Sequence, residues 1–325
     1  MDVDLEVRGE LPPWLAGTLV RNGPARFETG KGSLRHWFDG LAMLHRFGFA
    51  EGAVTYRNRY LETPSNRAVR EGGHIAFGEF ATDPCRSIFS RFFTHPRLRR
   101  ASNTNVNVTS DGDRDFALTE TPIAVEFDRD TPATVGHDDH DDAIDGHVTT
   151  AHPHRAPLIG DPVDYVLKFG RRSVYRQCRQ RGRSRELLAS LPADRPGYLH
   201  SFAITERHVV PAAFPLVVNP LSMPLRAKPF GSHNGRDYRY AYGVGSRDNG
   251  TRDFLNQLVK VDVRSGRTTR WHEPGRYPGE PVFVPAPDGR SGLLVLDAAT
   301  FTELARADVP HVIPFGFHGL FTSGR

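Results

Sequence analysis

Cysteine is nearly absent from this 325-residue chain. Cys85 and Cys178 are the only two, too few for a disulfide framework and most simply read as free thiols in a reducing compartment. No apolar run approaches the ~18 residues that a membrane-crossing helix needs. The opening Met1-Asp2-Val3-Asp4-Leu5-Glu6 is acidic and is followed by Pro12-Pro13, which predicts no leader peptide. Together these point to a cytoplasmic protein whose membrane contact, if it has any, is peripheral. Also missing are a phosphate-cradling P-loop, a Gly-x-Gly-x-x-Gly dinucleotide fingerprint, a Gly-x-Ser-x-Gly nucleophile elbow and a His-Glu-x-x-His zinc helix. Chemistry carried by those motifs is therefore not the first expectation.

Lysine is scarce too: Lys31, Lys168, Lys228 and Lys260 are the only ones among 42 basic residues, so the net charge of +4 is carried by arginine. Much of it is concentrated in Arg171–Arg185. An anionic surface is one partner for such a cluster. The plainer reading is a solvated hairpin with charged outward positions, and nucleic acid is not an expected partner. The reverse bias occurs at His137-Asp138-Asp139-His140-Asp141-Asp142-Ala143-Ile144-Asp145-Gly146. Its alternating carboxylates and imidazoles suit a metal tract, but so acidic and apolar-poor a run reads first as a solvated loop. With 38% apolar and 25% charged residues, the chain is an ordinary folded one, and no linker divides it, so residues 1–325 are taken as one domain.

Glycine (31) and proline (25) are spread throughout, and strand–turn–strand patterns recur in place of long helical periodicity. Val125-Glu126-Phe127-Asp128 is followed by Thr131, Val259-Lys260-Val261-Asp262 by Ser265-Gly266, and Val295-Leu296-Asp297 by Thr300. In each, an aspartate at the strand end and a hydroxyl three residues on can bond the turn amides. A fourth hairpin is predicted over 44–61, turning at Glu51-Gly52. Repeated hairpins without intervening helices predict an all-β propeller or sandwich.

Three distant segments place a histidine in an apolar or turn-forming frame: Ala151-His152-Pro153-His154, Leu199-His200-Ser201-Phe202 and Phe315-Gly316-Phe317-His318-Gly319. Imidazole is a frequent transition-metal ligand, and separated histidines meeting at one point make a metal centre that only the fold can assemble. Taken singly, each is equally a satisfied buried histidine.

These segments occur in order with Gly17-Thr18-Leu19-Val20-Arg21-Asn22-Gly23-Pro24, His36-Trp37-Phe38-Asp39-Gly40, Asn105-Val106-Asn107-Val108, Leu118-Thr119-Glu120-Thr121-Pro122 and Glu280-Pro281-Val282-Phe283-Val284-Pro285. From about residue 10 onward the chain thereby resembles the carotenoid cleavage oxygenase family, which includes retinal-forming, apocarotenoid-forming and stilbene-cleaving enzymes. The resemblance implies a seven-bladed β-propeller with Fe(2+) on its axis. It also implies a dioxygenase that splits a conjugated double bond of a carotenoid or apocarotenoid, with dioxygen, into two carbonyl products. The family pattern implies His152, His200 and His318 as iron ligands, and Glu120 and Glu280 as carboxylates behind them. Those carboxylates would balance the metal charge and accept the imidazole Nδ1–H, leaving Nε2 for the metal. His36, His45 and His154 are read as structural or packing residues.

The resemblance breaks in one stretch. Phe214-Pro215-Leu216-Val217-Val218-Asn219-Pro220-Leu221 still follows the family, after which the chain passes directly to Gly235-Arg236-Asp237-Tyr238. The family segment carrying another ligand histidine and another carboxylate is missing near 222–234, and a smaller one near 288–293. The expected propeller is thus incomplete, from an internal deletion. Three arrangements are compatible: iron on three histidines, a substitute ligand such as His233, or a degenerate metal site. The last corresponds to the alternative function, a non-catalytic carotenoid- or lipid-binding propeller. Substrate, oligomeric state and the cleaved bond are not written in the sequence.

Overall fold

The structure, a computed structural model, describes residues 1–77, 82, 103–138, 140–157, 160–194, 196–197, 199–205, 208–211, 240–245, 247, 256–262, 264–274, 278, 283–285, 291–314 and 316–324. Glu280, His233 and Cys85 lie outside the described residues, as does the 222–234 break.

All four predicted hairpins form. Strand Leu41–Ala50 pairs antiparallel with Ala53–Tyr60, and both turn residues have positive φ, Glu51 at 50° and Gly52 at 78°. Positive φ at both central positions is the two-residue turn whose twist matches paired strands. At the next hairpin, Asp128 Oδ1 accepts from the Thr131 amide (2.7 Å) and hydroxyl (2.7 Å). Asp297 Oδ1 does the same with Thr300, at 2.7 and 2.8 Å. Asp262 Oδ1 accepts from the amides of Arg264 and Ser265 at 3.1 and 3.2 Å. One carboxylate thus satisfies donors that the turn would otherwise leave to water.

These hairpins build separate antiparallel sheets rather than one continuous sheet. The first runs Asp2–Leu5, Ala53–Tyr60, Leu41–Ala50, Gly17–Arg26, Gly319–Ser323. The second runs Thr134–Asp138, Ala124–Phe127, Arg114–Leu118, Asn107–Asp111. The third runs Val148–Thr149, Pro162–Lys168, Ser173–Arg181, Ser184–Ala193. Phe202–Ile204 pairs Val209–Pro211, and Tyr240–Gly245, Gln257–Asp262 and Thr268–Trp271 form a three-stranded sheet. A last sheet takes Val7–Gly9 alongside Glu303–Val309, Ser291–Leu296 and Phe283–Pro285. The two chain ends are therefore exchanged. An N-terminal strand completes the last sheet, and the C-terminal strand completes the first.

Side-chain alternation explains how the sheets stack. Leu44 and Val20 of the first sheet pack onto Val108, Ala117, Val125 and Phe127 of the second. Their strand neighbours Leu19, Phe47 and Phe49, on the opposite face, pack onto Leu293, Ala305, Ala307 and Val309 of the last. A sheet buried on both faces needs apolar residues at odd and even positions alike, and Leu41–Ala50 is buried along most of its length.

The arginine-rich segment is the hairpin Ser173–Arg181/Ser184–Ala193, turning at Gly182 (φ 59°). Its guanidinium groups meet the acidic stretch 137–146, whose composition alone predicts a solvated loop. Arg176 pairs with Asp145 (2.8 Å), Arg183 with Asp141 (3.2 Å) and Arg185 with Asp142 (2.9 Å). The Arg185–Asp142 pair is nearly buried. Burial opposes ionisation of Asp142, but bonds from the Arg185 side chain and from the Ile144 and Arg185 amides outweigh it, holding the carboxyl at about 2.

Candidate metal centre

Each histidine of interest stands where an edge strand meets its loop. His152 follows Val148–Thr149, at the edge of the third sheet. His200 precedes Phe202–Ile204, and His318 directly precedes Gly319–Ser323, the edge of the first sheet. Glu120 follows Arg114–Leu118 of the second sheet. Residues from several sheets thereby reach one place without being near in sequence.

The rings do meet. The His152 ring centroid lies 4.6 Å from that of His200, with the planes at 60°, and 4.5 Å from that of His318, at 86°. His200 Nδ1 lies 3.1 Å from Glu120 Oε1. With the proton on Nδ1 donated to that carboxylate, Nε2 keeps its lone pair. His152 Nε2 is buried without a hydrogen-bond partner, although buried polar atoms are nearly always paired. Burial, then the charges of His318, His200 and His154, pushes the His152 imidazole down to about 3. It is therefore neutral at ordinary pH, the state a metal ligand needs.

The donor set fits a transition-metal ion chemically: clustered imidazoles, an orphaned nitrogen on the ring that burial keeps neutral, and a carboxylate behind a second ring. Among the described residues, no group of three or more His, Cys, Asp or Glu side chains is already arranged to hold a metal ion. The fit thus rests on the ring cluster and the orphaned Nε2. Glu280, the other carboxylate implied by the family pattern, lies outside the described residues. His154 is apart from the cluster, its ring edge-on to Phe202 at 4.8 Å and its Nε2 3.5 Å from Ser201 Oγ.

Several residues that touch the site lie in segments that carry the family resemblance, but the sequence assigns them no role at the site. Asn22 is fully buried. Its amide donates to the carbonyls of Thr104 (2.6 Å) and Asn107 (3.0 Å), and its backbone N–H donates to His318 O (3.0 Å). Asn107 Nδ2 donates to Ala151 O (2.7 Å) and lies 3.5 Å from His152 Nδ1. Asparagine is disfavoured in strands, so its presence inside Gly17–Arg26 and Asn107–Asp111 is the signal that could have found both. Trp37 and Phe38 lie against Phe317, at 4.6 and 5.2 Å between centroids, beside His318. They are held by His36, whose Nδ1 accepts from the Phe38 amide (3.1 Å), and by Asn105, whose amide donates to the Phe38 and Gly40 carbonyls (both 2.8 Å). His45 is deep in the core, its Nδ1 2.7 Å from Tyr56 Oη. Burial pushes it down to about 3.

Comparison with known proteins places the chain in a family. The family model described as RPE65, retinal pigment epithelial membrane protein, matches residues 1–234 and 230–323. The mitochondrial carotenoid-cleaving dioxygenase of Pongo abelii is 25% identical, over 98% of this chain and 92% of that protein. That alignment runs over 515 positions, so the 325 residues span it only with long gaps. The chloroplastic carotenoid cleavage dioxygenase 8 homolog B of Oryza sativa subsp. japonica is 28% identical over 97% and 81%. Among solved structures, cobalt-substituted Synechocystis ACO superposes with a TM-score of 0.82 at 21% identity, covering 100% of this chain and 96% of that one. An ACO/RPE65 chimera gives 0.81 at 20%, with the same coverage. The structural likeness establishes the fold as that of these seven-bladed propellers. The chain belongs to the RPE65 family of carotenoid oxygenases, as a shortened member.

Proposed function

We propose that this protein is an iron(II)-dependent dioxygenase cleaving a conjugated double bond of a carotenoid or apocarotenoid. The observation that carries the reading is the meeting of His152, His200 and His318 from three parts of the fold, with His152 Nε2 buried and unpartnered. In this reading His152, His200 and His318 hold the metal, Glu120 fixes the His200 tautomer, and Glu280 serves another ring. When bound, ferrous iron supplies the electronic route by which dioxygen adds across an alkene, giving two carbonyl products and no other leaving group. The protein's own part is to hold the imidazoles in place and to offer the substrate an apolar surface beside them. Trp37, Phe38 and Phe317 offer an apolar surface beside His318 that suits a polyene lacking charged anchors. No side-chain nucleophile or general base is required.

The domain is a single propeller over 1–325 with family segments missing near 222–234 and 288–293, a reading supported by the gapped alignment. The protein is read as cytoplasmic. An apolar substrate also favours peripheral membrane contact, for which the exposed Leu187, Leu188 and Leu191 are suited. Anaerobic loading with ferrous iron, followed by an apocarotenal and dioxygen, tests the function. Iron at one per chain with aldehyde products is expected. Pigment retention without iron uptake or aldehyde would overturn the enzyme reading and favour the non-catalytic carotenoid binder.

A further inference from the structure

Two of the three clustered histidines are joined through their main chains by one hydroxyl. Thr150 is 1% exposed. Its Oγ1 accepts from the His152 backbone N–H at 3.0 Å and donates to the His200 backbone carbonyl. The two rings it spans have centroids 4.6 Å apart. A hydroxyl is the smallest side-chain group that can accept one bond and donate another at the same atom. No apolar isostere can replace it. On the other side of His152, Asn107 ties the Ala151 carbonyl to the second sheet, and Asn22 ties that sheet to the His318 carbonyl. Thr150 thus bonds the main chains of two of the histidines through a single side-chain atom.

We propose that Thr150 is a positioning residue that sets the separation of His152 and His200, and through it the affinity of the site for a divalent metal. The proposal rests on the reading of these histidines as ligands. A metal site tolerates displacements of only about 0.5 Å in its donors, and the Thr150 bonds act on the two backbones from which the donors project. A purely structural role would instead show as lost stability, without a particular effect on metal binding.

The test uses the full chain and cobalt(II) as the probe, with affinity from competitive titration and the visible cobalt absorption as a signature of ligand geometry. Thr150→Val removes both bonds at nearly constant shape, whereas Thr150→Ser restores the hydroxyl. Thr149→Val is the matched control. Thr149 Oγ1 is bonded to Tyr165 O (2.6 Å) and Asp164 Oδ2 (3.0 Å) and bonds neither histidine. Thr150→Val is expected to weaken cobalt binding by about 10-fold or more and to alter the absorption. Thr150→Ser should stay within about 3-fold of the parent, and Thr149→Val should lose stability while keeping affinity and spectrum. Equal affinities for the two valine variants, whether both retained or both lost, overturn the proposal. Should the unsubstituted chain bind cobalt no better than His152→Ala, the ligand reading itself is overturned and the positioning role falls with it.

Discussion

Replacing Asp164 by asparagine should change the pH dependence of stability by an amount the structure allows to be worked out. Asp164 lies on the inner strand Pro162–Lys168, lining an open cleft between the second and third sheets together with Phe116, Ile123 and Val166. Burial pushes its carboxyl up from 3.8 to about 7, against bonds from the Tyr165 amide (2.6 Å) and the Thr149 hydroxyl. The local geometry favours the neutral acid for a further reason. The Thr149 hydroxyl has one proton for two oxygens, at 2.6 Å on Tyr165 O and 3.0 Å on Asp164 Oδ2. A protonated Asp164 can itself donate to that hydroxyl. The folded state thus holds a proton that the unfolded chain releases above its ordinary carboxylate pKa. Between about pH 4 and pH 7 the folded state binds more protons, and stability falls as pH rises through that window.

At about 1.4 kcal/mol per pKa unit, the shift from 3.8 to about 7 corresponds to a loss on the order of 4 kcal/mol above pH 7. About 2–3 kcal/mol of it falls between pH 5 and pH 8, and water in the cleft lowers rather than raises these figures. Asparagine mimics the neutral acid, accepting from the Tyr165 amide and donating to Thr149, and does not titrate. Urea titrations of both proteins at pH 5 and pH 8 should show Asp164→Asn gaining about 2–3 kcal/mol relative to the parent at the higher pH. A stability difference that is the same at both pH values would refute the reasoning.

Phe202 is 0% exposed, packs with Val163, Tyr165 and Leu199, and follows His200 by two residues. Phe202→Ala should cost about 3–5 kcal/mol in denaturant unfolding, and a loss below 1 kcal/mol would mean that this core re-forms around the gap. Glu120→Gln keeps the shape facing His200 Nδ1 but removes the charge. It should weaken ferrous iron or cobalt binding by about 10–100-fold, measured by competitive titration, and an unchanged affinity would separate Glu120 from the metal.

The hairpins were legible in the sequence because their determinants are local. An aspartate ending an alternating run and a hydroxyl three residues later satisfy the turn by themselves, as Asp128 and Thr131 do. The charge logic of 137–146 was not legible, because its partners Arg176, Arg183 and Arg185 are 31 to 43 residues away and meet it only through the third sheet. Convergence of the histidines was an expectation from family resemblance. No spacing rule brings residues 152, 200 and 318 to one point, which is a property of how separate sheets stack. The roles of Asn22, Asn107 and Thr150 are not legible in the sequence, because they are main-chain bonds to residues in other segments. A half-buried acid such as Asp164 looks, in sequence, like any aspartate on the polar face of a strand.

The central claim is that imidazoles from separate sheets share one metal ion. X-ray absorption at the iron edge of the iron-loaded protein tests it most directly. Shared coordination predicts a first shell of nitrogen and oxygen atoms at about 2.1 Å with outer-shell scattering from at least three imidazoles, reduced by one imidazole in each of His152→Ala, His200→Ala and His318→Ala. Iron bound with no imidazole scattering, or with scattering unchanged by those substitutions, would contradict it.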